Sequence, residues 1–156
     1  MTTRAREALA DCEFALADFG ASANTVLQRT RWVAVITLLR TVGYVLKDVD
    51  RPTAIPETQR RIDEAWERLN SGKPEPRIFH DFINAERHQA VHLYKVHAAV
   101  NITVRPGSSS SPGGPTTVDP IMRKGPFEGR NPRDLCQEAI AFWRHHLNRI
   151  DQPAAT

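Results

Sequence analysis

The stretch Thr25–Val49, TVLQRTRWVAVITLLRTVGYVLKDV, decides the fold. Trp32, Val35, Ile36, Leu39, Val42, Gly43 and Leu46 recur at three- and four-residue steps. On an α-helix that spacing gathers them into one broad apolar stripe, the mark of a central bundle helix. Gly43 within the stripe costs up to about 1 kcal/mol against alanine, which predicts close approach of a second backbone there. Arg51-Pro52 and Pro56 are expected to close the helix.

Working outward, residues 3–19 form an amphipathic helix through Ala5, Ala8, Leu9, Cys12, Leu16 and Phe19, broken at Gly20 and at 22–24. A third helix, about 57–70, starts at Pro56-Glu57 and carries a thin apolar line of Ile62, Trp66 and Leu69. The prolines of SGKPEP (71–76) set up a fourth helix over about 77–97. NITVR (101–105) reads as a short strand or an extended arm. PGSSSSPGGPTTVDP (106–120) reads as a long flexible loop. The last helix has Asn131 as N-cap, Pro132 at N1 and Asp134 against the dipole, and runs to about Arg149. The expected fold is all-α: one domain over 1–156, an up-and-down antiparallel bundle of four to five helices. The loop at 106–120 would let the last helix cross over or reach a neighbouring subunit.

At 156 residues there is room for one core, and a composition 40% hydrophobic and 25% charged suits a globular chain. No apolar run approaches the ~20 residues that span a bilayer. MTTRAREALADCEF has acidic residues and no apolar core or cleavage site, so no secretory signal is expected and cytoplasmic residence follows. Cys12 and Cys136 are expected as reduced, partly buried small hydrophobes. A net charge of +3 is compatible with nucleic acid without implying it. Trp32, Trp66 and Trp143 sit at apolar helical spacing and read as core. No Gly-rich phosphate loop, nucleophile elbow, CxxC pair or HExxH occurs, and no cofactor is implied.

The chemistry concentrates in IFHDFINAERHQAVHLY (78–94). On an ideal wheel Phe79, Phe82, Ile83, Ala90, Leu93 and Tyr94 share one arc, with Glu86 and His97 inside it. A carboxylate on a buried arc is costly unless paired, and Arg40 is the expected partner of Glu86, with Lys47 the alternate. The pair either fixes helix register or orients Arg87 or His92 at an active site. Arg87 and His92 stand about 140° apart on an ideal helix, so they are not expected to share one intramolecular cleft without a bend, whereas a two-fold dimer would bring them together. His88 and His92 are also spaced for two metal ligands, but Asp81 is the sole third donor and only by a two-turn reach, so no metal site is assigned. His97 and His146 are expected to pack as aromatics.

Arg87, four residues, then His92, with polar His88 after the arginine, resembles the motif of HEPN-type ribonucleases. That resemblance implies a homodimer whose paired motifs line a cleft for the RNA backbone, and metal-independent cleavage. His92 would move a proton at the 2′-hydroxyl or leaving oxygen, and Arg87 would hold the scissile phosphate. Catalytic candidates are then Arg87, His92 and Glu86, with Arg40, Lys47 and His88 as substrate-binding candidates. A second resemblance rests on RTVGYVLKDVD (40–50), 78–94, NITVRPG (101–107) and GPFEGRNPRDLCQEAIAFWRHHLNRID (125–151). These are similar to an uncharacterised family of small bacterial helical proteins. That family implies Glu86-Arg87 as the shared pair and brings no established activity with it. The leading expectation is a non-catalytic binding or interaction module with an RNA or protein partner and no membrane contact. The alternative is a HEPN-like ribonuclease of a toxin or defence system.

Overall fold

A computed structural model describes residues 1–73, 75–104, 106–107, 113 and 117–152. The chain is mostly helical, with a small two-stranded antiparallel sheet. Its elements are α1 (Thr3–Ala17), α2 (Thr25–Val45), α3 (Arg51–Thr53), α4 (Pro56–Ser71), α5 (Ala85–His92), β1 (Ala98–Thr103), β2 (Thr117–Met122) and α6 (Pro132–Asp151). Two π-helical turns, Leu46–Asp50 and Ile78–Asn84, run directly into α3 and α5. Among the described residues no helix is long and apolar enough to cross a membrane.

The stripe of α2 lies at the centre. Trp32, Val35, Ile36, Leu39 and Val42 are fully buried, packed with α1 on one side and α5 and α6 on the others. Asn24 starts α2, its side chain accepting from the Leu27 amide at 3.0 Å, and Asn131 does the same for Arg133 at the head of α6 at 2.8 Å. The close approach expected at Gly43 is real, but the neighbour is a side chain. A Cβ there would stand 3.0 Å from the indole of Trp143, whose Nε1 donates to the Leu39 carbonyl at 2.8 Å. Cys12 and Cys136 are fully buried free thiols, and burial pushes the Cys12 thiol up to about 12.

Helical structure does not close at Arg51-Pro52 as expected. It passes through the π turn, and Pro52 sits in the first turn of α3 where it needs no N–H partner. The widened turn carries Asp50 inward, and its carboxylate accepts from the amides of Arg4 (3.0 Å) and Ala5 (2.8 Å). Asp151 adds bonds from the Thr2 amide and hydroxyl, at 2.9 and 2.8 Å. Helix α1 has no side-chain cap of its own. Two remote carboxylates satisfy its orphan donors and oppose its positive end.

The fourth helix also departs from expectation. It ends at His92, not near residue 97, because Tyr94 adopts a left-handed φ of 50° and turns the chain back. Phe79, Phe82, Ile83, Glu86 and Ala90 are buried as the wheel requires, but Leu93 and Tyr94 are exposed. The segment after the turn forms β1, paired in antiparallel register with β2 from Ala98↔Met122 to Thr103↔Thr117. Residues 117–120, expected within the flexible loop, are therefore strand. The rest of that expected loop falls mainly on 108–112 and 114–116, outside the described residues.

Candidate functional site

Glu86 and Arg87 are neighbours at the start of α5, and the helix sends them in opposite directions. Glu86 is 2% exposed and meets neither Arg40 nor Lys47. Its partner is His97, brought back by the turn at Tyr94, whose Nδ1–H donates to Oε1 at 3.0 Å. Gly125 closes over both side chains. A Cβ there would lie 3.6 Å from Glu86 Oε1 and from His97 Nδ1, and its φ of +91° is one that few residues but glycine adopt. The His97 carbonyl accepts from the Arg123 amide at 2.8 Å, which ties this knot to the end of β2. Oε2 of Glu86 is buried without a partner. Burial raises the carboxyl above its usual value, and the bond and charge of His97 only partly offset that. Glu86 is thus a core group, out of reach of a ligand, and His97 is a polar partner, not an aromatic filler.

Arg87 reaches His92 within the same chain. Its Nη1–H donates to His92 Nε2 at 2.7 Å, and the His88 ring centre is 5.1 Å from that of His92. The long arginine side chain spans the angle that separates the two positions on the wheel, so no second subunit is needed to bring them together. An arginine only donates, so His92 Nε2 is the acceptor in this contact. Asp81 is held by Arg77 at 2.8 Å. Among the described residues no three His, Cys, Asp or Glu side chains are grouped to hold a metal ion.

Arg40 and Lys47, freed from the role expected of them, line up with Tyr44 on one face of α2 and the π-helical turn that continues it. The Arg40 guanidinium carbon lies 4.0 Å from the Tyr44 ring centre, 5.6 Å from Phe79 and 5.8 Å from Trp66. Lys47 Nζ is 5.3 Å from Trp66. Burial pulls the Arg40 guanidinium below its usual value. Tyr44 acts the other way, and Arg87 lies near enough for its charge to lower it further. Arg40 Nη1 is buried with no acceptor. Elsewhere on the surface several arginines face carboxylates, Arg51 on Asp63, Arg60 on Glu57, Arg77 on Asp81 and Arg144 on Glu13, while others among the described residues, such as Arg68 and Arg149, do not. Among the described residues Arg40, Lys47 and Arg87 have no such partner.

Three unneutralised cations beside Tyr44, which is 43% exposed, and half-buried Trp66 offer charge for an anion and faces for a planar group. Trp66 was expected as core and is so only in part. Its inner edge meets Phe79 at 6.4 Å between ring centres. Sequence reasoning passed over Tyr44, although Arg40, Tyr44 and Lys47 at steps of four and three announce a shared helix face. Comparison with protein-family models, with curated proteins and with solved structures returns no match.

Proposed function

We propose that this chain is a non-catalytic helical binding module that holds single-stranded RNA on the face shared by α2 and α5. The carrying observation is that Arg40, Lys47 and Arg87 stand near Tyr44 and Trp66 without carboxylate partners among the described residues. Phosphate groups supply the counter-charge that these cations lack, and bases stack on the aromatic faces without need of sequence readout. Glu86 takes no part in contact. It anchors α5 from within so that Arg87 is presented at the surface. The helices around α2 act as the antiparallel bundle that keeps this face rigid. RNA as the partner would place the protein in the cytoplasm.

A second reading, the HEPN-like ribonuclease dimer, is favoured by one contact, Arg87 Nη1 to His92 Nε2 at 2.7 Å. The same contact weighs against it, because a general base needs the lone pair that Arg87 occupies. One experiment separates the two. A labelled single-stranded oligoribonucleotide is titrated with the parent protein, Lys47→Ala and Tyr44→Ala across a salt series, and the same samples are run on a denaturing gel beside His92→Ala. The binding reading expects intact RNA, a salt slope lower by about 1 in Lys47→Ala, and at least about fivefold weaker binding in Tyr44→Ala. RNA cut by the parent dimer and spared by His92→Ala would put the ribonuclease in its place. A parent that neither binds nor cuts would remove both.

A further inference from the structure

A second site lies away from this face, between α4 and α6, where a pocket of about 410 Å³ opens beside Pro76. We propose that it binds a small amphiphile with an anionic head, a carboxylate on a medium-length apolar chain. The pocket is within the size range of small-molecule sites. Its floor is apolar: Leu69 and Ile150 are buried core residues and Phe142 packs half-buried against them. Such a floor takes an alkyl chain and gives nothing to a bare inorganic anion.

The rim selects the sign of the head group. Four arginines line the pocket, but two are already neutralised. Arg60 sits between Glu57 and Glu64, and Arg61 faces Glu57. Arg68 and Arg149 have no carboxylate partner among the described residues. Both act on His146, which forms part of the same wall and whose Nε2 is buried without a hydrogen-bond partner. Burial, with Arg149, Arg68 and His145, pushes that imidazole down to about 4, so it is neutral near pH 7. Two free guanidinium groups over an apolar floor are the complement of a carboxylate on an alkyl chain.

The site shares no residue with the α2–α5 face, so its failure and that of the RNA reading are separate events. The test is calorimetric titration of the full chain with decanoate, decan-1-ol and inorganic phosphate, repeated on Arg68→Ala/Arg149→Ala. Both arginines are exposed, and circular dichroism would check that the double variant keeps its fold. Decanoate should bind, decan-1-ol at least about tenfold more weakly, and phosphate not measurably. The double variant should lose about tenfold or more in decanoate affinity, the scale of a charge-assisted pair. Absence of decanoate binding, equal binding of decan-1-ol, equal binding of phosphate, or an unchanged double variant would each overturn the proposal.

Discussion

Glu86 and Arg87 are consecutive residues, and each holds a histidine, yet the two pairs differ in kind. Glu86 meets His97 across a chain reversal, inside the molecule, with one carboxylate oxygen left unsatisfied. Arg87 meets His92 along its own helix, at the surface. The inner pair depends on the turn at Tyr94, on β1 following it, and on Gly125 having no side chain. The outer pair depends only on α5. A contact of the first kind is a property of the tertiary fold, and breaking it should be felt throughout. A contact of the second kind is local and leaves its groups available to a ligand.

The largest effect should come from Glu86→Ala, which strands the His97 N–H in a buried cavity. A loss of about 3 kcal/mol is expected in urea unfolding, with Glu86→Gln losing less than half of that because its carbonyl still accepts. Equal stability of Glu86→Ala and the parent would remove the inner pair from the core. The pH dependence has a definite sign. The native carboxyl binds its proton more tightly than the ordinary value of 4.5. Its contribution to stability is therefore complete below about 4.5 and is lost as pH rises through the raised native value. Because His146 acts in the opposite sense, the Glu86 contribution is read as the stability of the parent minus that of Glu86→Gln, which should fall over this window; a difference independent of pH would contradict it.

His146 extends the comparison to a buried histidine with no carboxylate partner, so its effect runs the other way. Its native value, about 4 against an ordinary 6.5, means that the unfolded chain takes the proton first. Its contribution is complete above pH 6.5 and is lost as pH falls from there toward 4. Allowing for residual solvent contact, the loss should be about 2 kcal/mol. Unfolding midpoints of His146→Phe should change less across this window than those of the parent. A parallel pair of profiles would show that the imidazole is solvated in the native state.

The contrast between the pairs also shows what the chain makes legible. The α2 stripe, the buried arc of Phe79, Phe82, Ile83 and Glu86, and the Asn131-Pro132 start of α6 all follow from local spacing and capping, and all are seen. That Glu86 needs a partner was also legible, since a buried carboxylate always does. Which partner was not, because His97 arrives through a left-handed residue that a wheel extended to position 97 cannot show. The same limit hid Asp50, carried inward by a π turn to cap a helix 45 residues earlier. Ideal 100° steps also misplaced Leu93, since the helix stops before it. Arg87 and His92 were set on opposite sides by Cβ directions alone, whereas the reach of the arginine side chain brings them into contact.

The smallest expected effect is the most discriminating. Arg87→Ala, His92→Ala and the double variant form a thermodynamic cycle around the outer pair. Each single change should move stability by less than about 1 kcal/mol, and the coupling should be near 0.5 kcal/mol, as for exposed pairs elsewhere. Binding need not follow stability. If the α2–α5 face holds RNA, Arg87→Ala weakens binding although it barely disturbs the fold, while His92→Ala releases Arg87 from its partner and leaves binding equal or tighter. If His92 itself carries the chemistry, its removal abolishes turnover instead. Large losses of stability in both single variants would mean that the outer pair is built like the inner one, and that the surface offered to a ligand lies elsewhere.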